Sequence, residues 1–210
     1  MMTALFERVF YYFQVGGWTM GAILACSVLG LAVSLERLWT LRWPVVVPKG
    51  LPVEVEDLIG RGKIPEAVTL CKKDGSPLAA VIRAGVDCTG KSREQIKEII
   101  NEVGRVETAS LEKGLTILHT IIVLSPMLGF LGTVLGMVDL FSSIASAGEV
   151  ANIGVVADGV YKALYTTVFG LTVAIPITIF YKMISSKVDR LVLAMEEISL
   201  RIVDLVQEKK

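Results

Sequence analysis

Polar and apolar positions divide this chain into three long greasy runs set between stretches of helical amphipathicity. Trp18–Val33 (WTMGAILACSVLGLAV) carries no charge, Leu115–Val138 has His119 as its one ionisable group, and Ala163–Tyr181 is again uncharged. Each run approaches or exceeds the ~20 residues that a helix needs to cross ~30 Å of hydrocarbon. The pattern therefore predicts three membrane-spanning helices, at 15–38, 114–141 and 160–184. No segment has the alternation of a strand ladder. The expected fold class is an all-α integral membrane protein, with the second and third spans extended into a cytoplasmic helical bundle.

The intervening segments also read as helices. Phe6, Val9, Phe10 and Phe13, with Tyr11 and Tyr12 beside them, predict an amphipathic helix over 1–14 lying in the outer membrane–water interface. LRWPVVVPKGLP ends the first span, and GKIPEAVTLCKKDGSPLAAVIRAGVD reads as short helices broken at Gly62, Gly75 and Pro77. From Ser92 onward, Ile96, Ile100 and Val103 form one helical stripe and Leu111, Leu115 and Leu118 another, with Gly104 and Gly114 as the only breakers. Joined to the second span, this would be a helix of about 50 residues, roughly 75 Å long. Val188, Leu191, Met195, Ile198, Ile202 and Leu205 alternate +3 and +4 as a heptad seam, packed either within one subunit or between subunits. These features assign 39–113 and 185–210 to the bundle and 142–159 to a loop.

Charge adds an orientation. Acidic and basic residues are equal in number over the 210 residues, but residues 34–113 hold thirteen Lys and Arg and the tail after Tyr181 six more. Residues 114–161 hold none. The positive-inside bias places 34–113 and the C-terminus in the cytoplasm, and the N-terminus and the 142–159 loop outside. Before the first run stand only Glu7 and Arg8, and the run continues past Cys26; both features argue against a signal peptide cleaved after ILAC. Cys26, Cys71 and Cys88 lack metal-ligand spacing, so neither a disulfide, a metal nor a cofactor is expected. With no HExxH, no GxSxG and no acidic neighbour for the single histidine, an enzyme is not expected. Nor is a nucleic-acid partner.

Inside the spans the unusual residues are small and polar. In SPMLGFLGTVLGM (125–137), Ser125, Gly129, Gly132 and Gly136 share one helix face, with Thr133 adjoining it. In the third span Ala163, Thr167, Gly170, Ala174 and Thr178 recur at +4, +3, +4, +4. Small residues let membrane helices approach closely, and close packing is the default reading of the glycines. Thr133 and Thr167 lie within or beside these stripes near mid-membrane, and residue chemistry leaves packing and pore lining equally open for them. Pro126 and Pro176 each remove a backbone hydrogen bond, which predicts a static bend, with a hinge as the alternative. No Asp, Glu, Lys or Arg occupies the centre of a span; Asp139 and Lys162 lie at the outer ends and His119 one turn inside the cytoplasmic edge. A proton path, which intramembrane ionisable groups usually mark, would need a carboxylate from another chain. His119 reads as a helix–helix hydrogen-bonding group or a relay, and Lys162 as a rim residue paired with Asp158.

Two of these stretches, SPMLGFLGTVLGMVDLF and GVYKALYTTVFGLTVAIPITIFYK, resemble the two signature segments of the MotA/TolQ/ExbB proton-channel family. GKIPEAVTLCKKDGSPLAAVIRAG is similar to the corresponding cytoplasmic piece of ExbB-type members. The likeness covers nearly the whole chain in order and suits the three-span ExbB/TolQ-like members better than four-span MotA. It implies a homopentamer in the bacterial inner membrane, its second and third spans surrounding single-span ExbD- or TolR-like partner helices. An intramembrane aspartate on those helices would supply the missing carboxylate. It also implies periplasmic TonB- or TolA-like machinery as the recipient of work. Carried over by position, the family's pore threonines fall on Thr133 and Thr167. Lys162 stands where the family often has glutamate, so no role is borrowed for it. The alternative to a motor is a non-conducting scaffold that assembles through its small-residue stripes.

Overall fold

A computed structural model describes the backbone of residues 2–147 and 153–208, with the side chains of 2–16, 147, 153, 155 and 208 left out of the description. All regular structure among these residues is helical. The helices are α1 (Met2–Thr40), α2 (Trp43–Val46), α3 (Gly50–Gly60), α4 (Ile64–Asp74), α5 (Pro77–Val86), α6 (Arg93–Glu112), α7 (Leu115–Ala147) and α8 (Ile153–Glu208). Three of them contain stretches apolar and long enough to cross a membrane: Gly17–Thr40, Leu115–Ser146 and Val156–Gln207. The chain divides into two compact units. One comprises residues up to Leu35 with Gly114–Lys182, the other Glu36–Lys113 with Met183–Lys210.

In the apolar unit, α1 is interrupted at Gly17, whose backbone (φ 58, ψ −150) lies outside helical space. A residue without Cβ reaches that conformation at little cost. The amphipathic face expected over 1–14 belongs to side chains outside the described residues. The span of α1 packs at Gly30, where a Cβ would run into Ile177 of α8 and come within 3.6 Å of Ile121 of α7. Both α7 and α8 continue as helix through their prolines, Pro126 and Pro176. The 142–159 segment expected as loop is largely helical instead, because α7 runs on to Ala147 and α8 starts at Ile153. Leu140, seated against Gly159, continues the helix–helix packing into that segment.

The second unit is built from short capped helices. Gly75 ends α4 in the left-handed region (φ 68), Ser76 caps α5 through Ala79 N–H, and Pro77 occupies the first turn. Ser92 and Gln95 form a reciprocal capping box at the start of α6, which satisfies two otherwise unpaired amides. α6 does not run on into the second span: it stops at Glu112, Lys113 is extended (φ −53, ψ 130), and Gly114 has φ 92. Val188, Leu191, Met195 and Ile202 of the heptad seam are all buried, so the seam packs inside one subunit. Arg93 pairs with Asp204, and Gln207 donates to the carbonyl of Lys91, holding the end of α8 to the start of α6.

A candidate conducting site between the second and third spans

Small residues bring α7 and α8 into backbone contact along an antiparallel seam. A Cβ placed on Gly129 would stand 2.8 Å from the Thr166 carbonyl oxygen and 2.9 Å from Thr167 Cα. One on Gly170 would meet the Ser125 carbonyl oxygen at 2.5 Å, and one on Gly136 would meet Ala163 Cβ at 2.9 Å. Real Cβ contacts do not occur below 3.0 Å, so these positions can hold only glycine at this separation. Gly132 faces the Thr166 side chain, with contacts from 2.6 Å. The stripe on α7 (Ser125, Gly129, Gly132, Gly136) is therefore the one the sequence marks.

The stripe on α8 differs by one residue. Thr166, 2% exposed, points into the seam, whereas Thr167 is half-buried beside it. The Thr166 hydroxyl lies 2.9 Å from the Gly129 carbonyl across the seam and 2.8 Å from the Ala163 carbonyl in its own helix. Sequence reasoning missed this residue. From Ala163 to Gly170, steps of +3 then +4 fit a helix face as well as +4 then +3, and adjacent threonines give no basis for choosing. Ala174 is buried one turn beyond Gly170, and its carbonyl accepts the Thr178 hydroxyl at 2.7 Å.

The hydroxyls separate into two kinds. Thr133 Oγ1 donates to the Phe130 carbonyl at 2.6 Å in its own helix, as helical threonines ordinarily do. Thr120, Thr172 and Thr178 do the same. Thr167 Oγ1 and Ser125 Oγ are buried without a hydrogen-bond partner among the described residues. An unpaired buried hydroxyl costs about 1–3 kcal/mol, so these two stand apart from the rest.

At one end of the seam a pocket of about 680 Å³ is lined by α1 at Gly17–Thr19, by Gly132, Asp139 and Ser143 of α7, and by Asp158, Lys162 and Thr166 of α8. Lys162 Nζ lies 2.6 Å from Asp158 Oδ2. On the outward face of α7, Pro126 lines an apolar depression with Met127, Phe130 and Val134. Pro176 lines another, against Ile23 and Leu31 of α1. At the opposite end of the span from Lys162, the ring of His119 lies 5.9 Å from that of Tyr181.

Comparison with known proteins gives this arrangement its family. The profile of the MotA/TolQ/ExbB proton channel family matches residues 73–197, which include all of α7 and most of α8. The biopolymer transport protein exbB1 of Vibrio cholerae is 39% identical over 178 residues, covering 83% of this chain and 78% of its own. An ExbB homolog of Methanothermobacter thermautotrophicus is 30% identical over 186 residues, covering 88% of this chain, which spans only 65% of that relative's length. The Tol-Pal system protein TolQ of Haemophilus influenzae is 36% identical over 83 residues, 40% of this chain and 36% of its own. The family is one of proton channels rather than enzymes. With three apolar helices long enough to span and this likeness to biopolymer transport and Tol-Pal system proteins, the chain belongs to the MotA/TolQ/ExbB proton channel family.

Proposed function

We propose that this chain is the ring-forming subunit of a proton-driven motor of the ExbB–ExbD or TolQ–TolR kind, with Thr167 and Thr133 on the proton path. Five copies surround the single-span helices of an ExbD- or TolR-like partner, whose aspartate carries the proton through the membrane. The observation that carries this reading is the buried Thr167 hydroxyl with no partner among the described residues, which suits a group that bonds to something outside its chain. The exposed apolar faces of the spans support assembly: only 22% of the apolar window in α7 and 28% of that in α8 is buried within one chain. Ser125, Gly129, Gly132, Gly136 and Gly170 set the helix spacing that presents the threonines, and Pro126 and Pro176 bend the wall. On the orientation given by the basic loops, the Lys162 end faces the periplasm and His119 lies near the inner exit, beside Tyr181.

The physics of the cycle is simple. A hydroxyl passes a proton but does not store one near neutral pH, so the partner's carboxylate is the carrier. Protonation cancels its charge and frees its helix to move against an apolar wall; release inside restores the charge. One proton crossing ~100 mV yields ~2.3 kcal/mol. Five subunits around fewer partner helices cannot match in symmetry, which favours stepwise rotation passed to TonB- or TolA-like machinery. Proton flux into liposomes holding the chain and its co-expressed partner tests this. Thr167→Ala should lower flux more than Thr133→Ala, since only Thr133 has an internal partner to return to. Unchanged flux in the double variant, or a sealed wild-type complex, would favour the scaffold.

A further inference from the structure

Among the described residues, the pocket at the Lys162 end of the seam is lined by three charged side chains with different roles. Asp158 and Lys162 neutralise one another at 2.6 Å. Asp139, on α7, is exposed, and its carboxylate has no hydrogen-bond or ion-pair partner among the described residues; the Ser143 hydroxyl bonds to its backbone carbonyl instead, at 2.8 Å. Among the described residues, two carboxylates against one ammonium leave the lining net negative. Clefts lined by one sign of charge concentrate counter-ions and speed their arrival. The inner end of the same pocket is formed by Gly132 and Thr166, the immediate chain neighbours of Thr133 and Thr167.

We infer that Asp139 is the proton-loading residue of the outer mouth: it takes a proton from the outside water and hands it, through water in the pocket, toward Thr133 and Thr167. This rests on the proton-channel reading above. Its chemistry differs from that of the threonines, because a carboxylate can take up a proton and give it back, whereas a hydroxyl can only pass one along. In each step the Asp139 carboxylate accepts H⁺ from hydronium and gives it to the next water, and its charge is restored. Asp139 lies six residues from Thr133, about 9 Å along the helix axis, a gap that about three hydrogen-bonded waters cover. Lys162, held by Asp158, forms the opposite rim, so a cation at this position leaves the mouth attractive to protons.

The test is inward proton flux in liposomes containing the full chain with its co-expressed single-span partner, measured at low and at high concentration of a non-permeant external buffer. Asp139→Asn should lower flux severalfold at low buffer and regain most of it at high buffer, where mobile buffer molecules deliver the protons. Asp139→Glu should stay near wild type at both. Asp139→Asn flux equal to wild type at low buffer overturns the inference. So does a deficit that buffer leaves unchanged, since that assigns Asp139 a purely structural part. A wild-type complex that conducts nothing at any buffer concentration overturns the channel reading itself, which separates the two failures.

Discussion

Gly129→Ala is the most direct probe of the seam. The added Cβ meets the Thr166 carbonyl oxygen at 2.8 Å and Thr167 Cα at 2.9 Å. Both are backbone atoms, so no rotamer change relieves the clash and the helices must part. Ordinary contact begins at 3.4 Å, which requires a local shift of about 0.6 Å, the difference from 2.8 Å. A gap of ~0.5–1 Å forfeits a quarter to a half of each dispersion contact along the seam, and overpacking of this kind typically costs ~1–3 kcal/mol. Alanine's better helix propensity returns up to ~1 kcal/mol. Gly129→Ala should therefore lose about 1–2 kcal/mol. Gly104, in the interior of α6, is the control: a Cβ there meets nothing within 4 Å, so Gly104→Ala should be neutral or stabilised by up to ~1 kcal/mol. Both variants can be unfolded by titrating SDS into micelles of milder detergent. Equal midpoints for the two would refute the claim that backbone contact at Gly129 sets the spacing of α7 and α8.

Two further expectations concern the other unit. Removing the Ser92 hydroxyl breaks the capping box at α6 and should cost ~1 kcal/mol, read as a lower thermal midpoint for Ser92→Ala than for wild type. Burial, assisted by Asp74, pushes the Cys71 thiol from 9.0 up to about 11. The folded chain thus keeps a proton that the unfolded chain releases; this contribution to stability is intact below pH ~9 and is lost as pH rises toward 11. Cys71→Ala should flatten that alkaline loss in a series of unfolding midpoints against pH, and an unchanged slope would exclude it.

The sequence made the coarse architecture legible because a bilayer imposes length and apolarity that no other setting demands. Gly62, Gly75 and Pro77 punctuated the short helices for equally local reasons: positive φ at the two glycines and no amide hydrogen at the proline. Long-range choices were harder. Whether Gly114 interrupts the helix before the second span depends on a backbone angle that glycine permits but does not require. The heptad seam of α8 looked the same whether its partner lay in the same subunit or another, until Leu191 and Ile202 were found fully buried. Thr166 was hidden by its neighbour, since either of two adjacent hydroxyls completes a helical stripe. That Thr167 has no hydrogen-bond partner among the described residues could not be read at all, because it depends on what every surrounding residue does with its own hydrogens.

Thr166 has a single hydroxyl hydrogen and two carbonyls within reach, Gly129 O at 2.9 Å and Ala163 O at 2.8 Å. Only one of them is bonded at any instant. When α7 draws away, the hydrogen swings to the acceptor in its own helix and no donor is stranded in a medium without water. The polar cost of opening this junction is therefore close to nil, and what resists opening is van der Waals contact alone. Such a joint loosens and recloses cheaply, a property that suits the moving partner helix of the proposed motor.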